Sequence, residues 1–475
     1  MRNQILSFLL LSSTLILEAA CSPLASAQSV GTTNDRKITL AEVIDFARKN
    51  YPAIQAAQAE TRAANGQVGV ARTVYLPRTD LLWQTNRATA NNIYGLLLPQ
   101  GVISTISGPV IASDPSRSAW SSGGGMLMSW QPFDFGARRA KIDIALQGSA
   151  AAKQTAALTT LEVTANAASA FFDLAAAQQL VKVAQANVER NESFNKAVHV
   201  LVDNTLRPGA DASQANAQLA LARNQLIQAE TEASIRRLAL AKYLPDGDKE
   251  VEIDVSQMLA VLPLAELAST LPTSHPAVLE EDARVHQQEA QKHLLDRSYV
   301  PSFSTLAAVS GRGAGTDASG HFPGGTAGLA PDTFNWAAGF QVTFSAFDFF
   351  GIREQKKVQA SNVQAEEARY NQSLDDVSAA IAQARARLTG ARQIAANTPV
   401  ELSAAQANEQ QQQARYRSGL ATVVDVAASE GVLAQAQADD AIARLSVWRA
   451  ELGVAAAQGD IQPFLQTIQS HTEGR

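Results

Sequence analysis

The chain has 475 residues and a formal net charge of −6, and only 6% of its residues are aromatic. With this acidic balance, nothing in the composition suggests nucleic acid as a partner. Frequent alanine and glutamine favour long helices over the compact core of a typical enzyme.

The first residues are typical of an export signal. Arg2 supplies a basic start, residues 5–17 are mainly apolar, and Ala25 and Ala27 form a small-x-small cleavage site. We therefore expect residues 1–27 to be a signal peptide and the mature chain to begin at Gln28. A buried N-terminal helix is the alternative interpretation.

Cys21, the single cysteine, offers a competing cleavage point at which a lipoprotein would be acylated. Ala20 before it fits such a signal, whereas Glu18 occupies the place of an apolar residue. The sequence leaves lipidation at Cys21 open. After the signal, no apolar run reaches the about 18 residues that a transmembrane helix requires. An exported chain is then soluble in the periplasm, secreted, or inserted in a membrane as a β-barrel.

The first half of the mature chain places two strands between helical segments. The predicted elements are a helix over 40–73, strands near 80–89 and 126–135 with a Gly/Ser/Pro-rich loop over 90–125, and helices over 137–202 and 211–243. The triplet Asp134-Phe135-Gly136 resembles the magnesium-binding motif of protein kinases. Neither a glycine-rich phosphate loop nor a kinase catalytic loop accompanies it in the sequence. We therefore interpret the triplet as a strand-to-helix junction.

The second half repeats this order of elements. It predicts a helix over 277–297, strands near 302–310 and 334–346 with a loop over 311–333, and helices over 352–417 and 421–459. Gly390 and Pro399 are expected to interrupt the first of these last two helices. The junction returns as Asp348-Phe349-Phe350-Gly351. Such self-similarity predicts an internal duplication, with repeats over 28–258 and 259–475.

The strand over 334–346 has the clearest pattern, since apolar residues alternate with small or polar ones. We expect its apolar face to contact lipid through Phe334, Trp336, Phe340, Val342 and Phe344. A soluble, half-buried sheet is the alternative. Four strands cannot close a membrane barrel, so the lipid interpretation requires at least two chains, and three chains would give twelve strands.

Taken together, the signal peptide, the duplicated helix–strand–strand–helix unit, the Tyr-x-Pro steps and both Phe-Asp-Phe junctions resemble the TolC-like outer-membrane efflux proteins. The glycine-containing turns RPGAD at 207–211 and RSGLATVVD at 417–425 fit as well. The resemblance implies a mixed α and β membrane protein. It would form a homotrimer with a twelve-stranded barrel in the outer membrane and long coiled-coil helices in the periplasm. Residues 244–273 and the tail after Gly459 would form an equatorial belt.

The same resemblance implies partners and a passive function. A periplasmic adaptor, also called a membrane fusion protein, and an inner-membrane pump would drive cargo through the channel, which itself catalyses nothing and needs no cofactor. The cargo, and whether the pump uses protons or ATP, are not given by the sequence. A periplasmic coiled-coil scaffold or adaptor is the alternative function, although such a protein has no need of the strand over 334–346. No catalytic, cofactor or metal-binding set is found in the sequence.

A periplasmic gate at the helix ends is also implied by the resemblance. Asp425 takes the place of the family's first constricting aspartate, Tyr416 that of a linking tyrosine, and Asp211 that of the aspartate opening a return helix. An aspartate such as Asp425 equally fits a helix N-terminus that it stabilises. Two positions depart from the family pattern, since alanine stands at 421 and 428. We therefore expect different gate chemistry, with Arg207, Arg415 and Arg417 as further candidates.

Overall fold

The computed structural model describes residues 37–89, 118–204, 207–244, 252–263, 271–315, 321, 323–344 and 346–473. The chain divides into two units, Met1–Lys37 and Ile38–Arg475. Only Lys37 of the first unit is described, and it is exposed. The predicted signal peptide, Cys21 and the greater part of the predicted loop over 90–125 lie outside the described residues.

The second unit combines long helices with one sheet. Its helices are α1 Leu40–Asn50, α2 Pro52–Arg72, α3 Ala137–Asp203, α4 Gly209–Ala241, α5 Ser256–Ala260, α6 Pro276–Arg297, α7 Phe349–Arg417, α8 Val423–Ala457 and α9 Gln462–Glu473. Its strands are β1 Arg78–Thr89, β2 Ser118–Phe133, β3 Ser302–Ala314 and β4 Thr333–Thr343. No helix in the described ranges is long and apolar enough to cross a membrane.

The predicted helix over 40–73 is wrong in one respect, because it is two helices. Thr39 and Glu42 form a capping box at the start of α1, with each side chain bonding the other residue's backbone N–H. Proline disfavours helical backbone in the residue before it, and Tyr51 is extended at ψ 128°. Pro52 then begins α2 at its first position, where no N–H is needed.

The two longest helices agree with their predicted bounds. Helix α3 has 67 residues and α7 has 69, so each is about 100 Å long at about 1.5 Å per residue. The expected interruptions at Gly390 and Pro399 are wrong, because α7 continues through both. An internal proline costs about 3 kcal/mol, and packing against α8 offsets that cost here. Thr398 donates a hydrogen bond to Asp440 of α8 at 3.0 Å directly before the proline.

The described strands form an antiparallel sheet in the order β1-β2-β3-β4. Arg78 at the start of β1 pairs with Ser129 near the end of β2. Phe303 at the start of β3 pairs with Phe133 on one side and with Val342 near the end of β4 on the other. The four strand ends that are connected to helices therefore lie together at one end of the sheet.

Strand β2 begins earlier than predicted, since residues 118–125 belong to the sheet and not to a loop. Their serines and glycines favour a loop in sequence, but the sheet needs glycine at two positions. A side chain at Gly124 would lie 2.6 Å from the ring of Trp83, and one at Gly125 would lie 2.6 Å from the Val309 carbonyl. For the same reason β3 extends to Ala314, into the predicted loop over 311–333.

The junction after β2 is built by Asp134. Its carboxylate accepts hydrogen bonds from the backbone N–H groups of Gly136 and Arg138. Gly136 takes the left-handed backbone conformation, at φ +95°, that this turn requires. Arg138 is buried and stacks on the ring of Tyr75, with its guanidinium 4.7 Å from the ring centroid. The triplet thus begins a helix, and Asp348 begins α7 without a side-chain cap.

The largest buried cluster, here called the Trp448 core, joins the helices beside α9. The indole of Trp448 donates to the Met258 carbonyl at 3.0 Å and packs edge-on against Phe464 at 6.4 Å. Phe171 and Phe172 of α3 are almost fully buried in the same cluster. Residues within the segment 244–273, such as Ile253 and Met258, and the C-terminal tail thus meet the long helices in this core.

Candidate functional site

The long helices turn back at one small apolar cluster, here called the turn region. It consists of Val198, Ala215, Tyr416, Ala421, Val423 and Val426. These residues come from α3, α4, α7, the following turn and α8, so the cluster joins the α3–α4 turn to the α7–α8 turn. Two of the sequence-predicted gate residues, Tyr416 and Asp425, lie in or beside it.

The turn after α7 follows from its sequence. Gly419 is left-handed at φ +76°, and the N–H groups of Gly419 and Leu420 bond the carbonyls of Tyr416 and Arg415. This is the Schellman arrangement that ends a helix, and glycine is the residue that adopts it without strain. Thr422 then caps α8. The spacing of Gly419 and Asp425 is therefore set by one helix ending and the next beginning.

Arg207 and Tyr416 join the two turns. The guanidinium of Arg207 donates to the backbone carbonyl of Tyr416 at 2.9 Å and stacks over its ring at 4.6 Å. Phe194 packs edge-on against the same ring at 5.3 Å. Cation–π stacking of this kind stabilises by about 0.5–2 kcal/mol. Arg207 therefore holds the end of α7 to the turn that follows α3.

Tyr416 is 4% exposed, and its hydroxyl has no hydrogen-bond partner among the described residues. Burial raises the pKa of Tyr416, the Arg207 guanidinium counteracts this, and Asp211 adds a smaller rise. The hydroxyl therefore stays protonated at neutral pH. Asp211 lies in the first turn of α4, where a carboxylate stabilises the helix N-terminus.

Asp425 completes a capping box at the start of α8. Its carboxylate accepts from the backbone N–H and from the hydroxyl of Thr422, both at 2.8 Å, and its own N–H donates to that hydroxyl at 3.3 Å. The Thr422 backbone contact, then the hydroxyl contact and the charge of Arg415, lower the pKa of Asp425. In the single chain, the carboxylate thus stabilises a helix N-terminus, while Asp425 remains exposed.

The other gate candidates lie near the turn region. Arg415 and Arg417 lie in the last turn of α7, where a positive charge interacts favourably with the negative end of the helix dipole. Arg417 also borders a cavity of about 480 Å³ between α3 and α7. Ala421 is buried in the turn region and Ala428 is exposed on α8. Neither position supplies the polar group that the resemblance implies.

A largely buried polar cluster next to the turn region was not predicted from the sequence. It consists of Arg190 on α3, Glu409 and Gln413 on α7, and Glu430 on α8. Glu430 is 1% exposed, and its pKa is raised to about 7 by burial and by the nearby Glu409. A pattern could have found Glu430, because it follows Val426 by four residues and precedes Leu433 by three, on the buried face of α8.

The apolar face predicted for the fourth strand is exposed in the single chain. Trp336 is 80% exposed, and Phe334, Phe340, Val342 and Phe344 are exposed as well. Strand β4 pairs only with β3 in the described residues, so its outer edge is open. A sheet that exposes aromatic side chains beside an open edge is suited to further contacts on that side.

Comparison with known proteins gives one matching family. The sequence model described as "Outer membrane efflux protein" matches residues 43–245 and 267–460, which is most of the chain. A relative from Bordetella pertussis, protein CyaE, is 26% identical over 371 residues, which cover 75% of this chain and 70% of that protein.

Solved structures share the fold. The outer membrane protein VceC of Vibrio cholerae superposes with a TM-score of 0.72 at 18% identity, covering 89% of this chain and 96% of that one. The CmeC outer membrane channel of Campylobacter jejuni gives a TM-score of 0.70 at 18% identity, covering 94% of each chain. At such identity the likeness concerns the fold, in which long helices join a small antiparallel sheet.

Proposed function

Because this chain belongs to the outer membrane efflux protein family, we propose a function for it as a channel. The chain is an outer-membrane exit duct whose long helices lie in the periplasm, and it conducts cargo from the periplasm to the exterior. Members of the family are channels and not enzymes. We therefore assign it no catalytic residue and no cofactor, and we propose that transport through it is passive.

The open sheet carries the proposal for its assembly. Strands β1 and β4 are the edges of the described sheet, and unpaired edges are not tolerated in a lipid bilayer. Closing the edges against neighbouring copies would give a barrel, and three copies would supply twelve strands. Channels of this family are homotrimeric. We propose the same trimer here, with the exposed face of Phe334, Trp336, Phe340, Val342 and Phe344 in contact with outer-membrane lipid.

The chemistry at the turn region supports a proposed periplasmic gate. Around a threefold axis, one Asp425 per chain would place three exposed carboxylates near the pore, where they would favour cations. Arg207 and Tyr416 would hold the two turns of each chain together, with Asp211, Arg415 and Arg417 as nearby charges. A periplasmic adaptor would open this region, and an inner-membrane pump would supply the cargo. Family members work with such partners.

The proposal is tested by purifying the protein from membranes in detergent and imaging single particles by electron microscopy. We expect a threefold particle with a tube on the order of 100 Å long, as the rise of the long helices requires. A protein that leaves the membrane without detergent, or a rod without a closed barrel, would contradict the proposal. That outcome would favour a periplasmic scaffold, which is the alternative function.

A further inference from the structure

Glu430 is an unusual residue for its position on α8. It is 1% exposed, and neither oxygen of its carboxylate has a hydrogen-bond partner within the described part of the chain. A buried carboxylate is ordinarily paired with a cation or bonded to several donors, because an isolated buried charge is strongly unfavourable. An unpartnered carboxyl at this depth is compatible with the fold only if it binds a proton for part of the time.

The charged groups around Glu430 come from two neighbouring helices. Glu409 faces it from α7 and is itself 9% exposed, and Arg190 faces it from α3. Arg190 does not pair with it, since its guanidinium donates to Gln437 at 3.3 Å and its Nε has no partner among the described residues. The side-chain amide of Gln413, which also approaches Glu430, donates to Glu409.

Helix α4 also contacts α8, but none of its charged groups is among those that shift the pKa of Glu430. Its Asp211 acts on Tyr416 instead. Glu430 therefore lies near a second carboxylate, while Arg190, the arginine that acts on it, bonds Gln437 instead. A nearby like charge disfavours ionisation of a carboxyl, so Glu430 retains its proton to a higher pH than usual.

The groups next to Glu430 border a cavity. This cavity, of about 480 Å³, lies between α3 and α7 and is lined by Arg190, Glu409, Gln413 and Tyr416. A cavity of this size with several polar groups is suited to hold water. Glu430 itself does not line the cavity, so water would reach it by way of Glu409 and Gln413.

We propose that Glu430, with Glu409 nearby, forms a buried proton-binding site, and that loss of its proton loosens the first turns of α8 from α3 and α7. Deprotonation places a negative charge on a buried side chain near a second carboxylate, and separation of α8 lets water solvate it. Glu430 follows Asp425 by five residues, so the loosened segment carries the candidate gate residue. This consequence for the gate rests on the proposed function, whereas the proton site itself does not.

The direction of the pH effect follows from the raised pKa. The pKa of Glu430 is about 7 in the folded chain and 4.5 for an ordinary glutamate. The favourable contribution of the protonated Glu430 side chain to packing is therefore fully present below about pH 4.5 and is lost as the pH rises through about 7. Neutral to mildly alkaline conditions should loosen this segment, and mildly acidic conditions should tighten it.

Hydrogen exchange on the full chain in detergent tests this inference. Exchange of the backbone amides of residues 423–433 is measured at about pH 6 and about pH 8 and corrected for intrinsic exchange. Because a group with a pKa near 7 loses its proton between these values, we expect the local opening constant to be about tenfold larger at the higher pH. Equal opening constants at both values would overturn the proposal.

Three variants sharpen the test. Glu430→Gln keeps the size of the side chain without a titratable group, so the pH effect should vanish. Glu409→Gln should reduce it below tenfold, because the opposing charge is gone, and this variant carries the test if Glu430→Gln does not fold. Glu401→Gln makes the same change at an exposed position of α7 and should retain the full effect. A Glu430→Gln protein that keeps the tenfold change would refute the site.

Conductance separates this inference from the proposed function. In a planar bilayer, the wild-type channel should open more often at about pH 8 than at about pH 6. The Glu430→Gln channel should open equally often at both pH values. A chain that shows the exchange effect but conducts no ions would retain the proton site and overturn the channel proposal. A chain that conducts ions but lacks the exchange effect would retain the channel proposal and overturn the proton site.

Discussion

Helix α8 belongs to two regions that are stabilised in different ways. Its C-terminal half places Trp448 in a large apolar core, where the indole N–H is also shared between two backbone carbonyls. Its N-terminal half lies beside the turn region, where a capping box, a stacked arginine and an unpaired buried glutamate meet a small apolar cluster. The same helix is therefore held by apolar packing at its C-terminal end and mainly by polar and charged contacts at its N-terminal end.

The difference follows from the kind of interaction in each region. Apolar burial contributes about 25 cal/mol per Å² and depends little on pH or on charge. Capping, cation–π and buried-charge interactions each contribute on the order of 1 kcal/mol, and those made by a carboxyl change with its protonation. The proposed periplasmic gate would open while the rest of the chain stays folded, and it would need both kinds of region.

Replacing Trp448 with alanine should have the largest effect. Truncation of a fully buried aromatic side chain lowers the free energy of unfolding by about 3–5 kcal/mol. The change would also leave the carbonyls of Met258 and Val261 without their donor. Unfolding of the detergent-solubilised protein, followed by circular dichroism, measures the loss.

Trp336→Ala is the matched control, because that tryptophan is 80% exposed. Its effect on helix unfolding should stay below about 1 kcal/mol, as is usual for exposed positions. If the two variants lost similar stability, the Trp448 core would not be the fixed region.

Replacing Arg207 with alanine should loosen the turn region without unfolding the Trp448 core. The variant loses a hydrogen bond to the Tyr416 carbonyl and the stacking on its ring, which together contribute about 1–2 kcal/mol. Hydrogen exchange of residues near 416 should accelerate, while exchange near 448 stays unchanged.

Arg417→Ala is the control for this change, since Arg417 is exposed at the end of α7. It should alter local exchange little, because exposed side chains contribute within about 0.5 kcal/mol. A larger effect at 417 than at 207 would identify Arg417 as the residue that joins the turns.

Asp425 separates a structural role from a role in the pore. The carboxylate stabilises the first turn of α8, and its lowered pKa means that this contribution is present above the usual pKa of 3.8 and is lost as the pH falls through the lowered value. Asp425→Ala should remove the cap, whereas Asp425→Asn retains an acceptor for the Thr422 N–H. Local hydrogen exchange should therefore accelerate in the first variant and change little in the second.

Conductance of the same two variants decides the pore role. If three Asp425 carboxylates face the pore, both variants should lose cation preference and block by divalent cations. If the residue only caps α8, the asparagine variant should conduct like the wild-type channel. Unchanged conductance and block in both variants would exclude Asp425 from the gate.

Much of the fold could be predicted from sequence, because its elements leave strong local patterns. The bounds of α3 follow from the absence of proline over residues 137–202, and the turn after α7 follows from Gly419. The glycines of β2 were misinterpreted, because only the structure shows Trp83 packed against Gly124. Pro399 was misinterpreted for a similar reason, since packing of α7 on α8 overrides its local cost.

The gate residues remain a prediction, and the structure shows how two of them are arranged. Arg207 and Tyr416 were both predicted near the turns, and the structure brings them together. Glu430 was missed because a glutamate on a helix ordinarily faces water, and α8 has apolar and small residues on most of its surface. Its spacing from Val426 and Leu433 would have placed it on the buried face of α8.

Tyr416→Phe should have the smallest effect and is informative for that reason. The hydroxyl is buried without a partner in the described residues of one chain, so its removal should leave stability within about 0.5 kcal/mol or raise it slightly. The ring still stacks on Arg207 and Phe194, whereas Tyr416→Ala would lose both contacts. A loss of stability or a rise in conductance with phenylalanine would mean that the hydroxyl bonds a neighbouring copy in the assembled channel. The turn region would then be held together between chains as well as within each one.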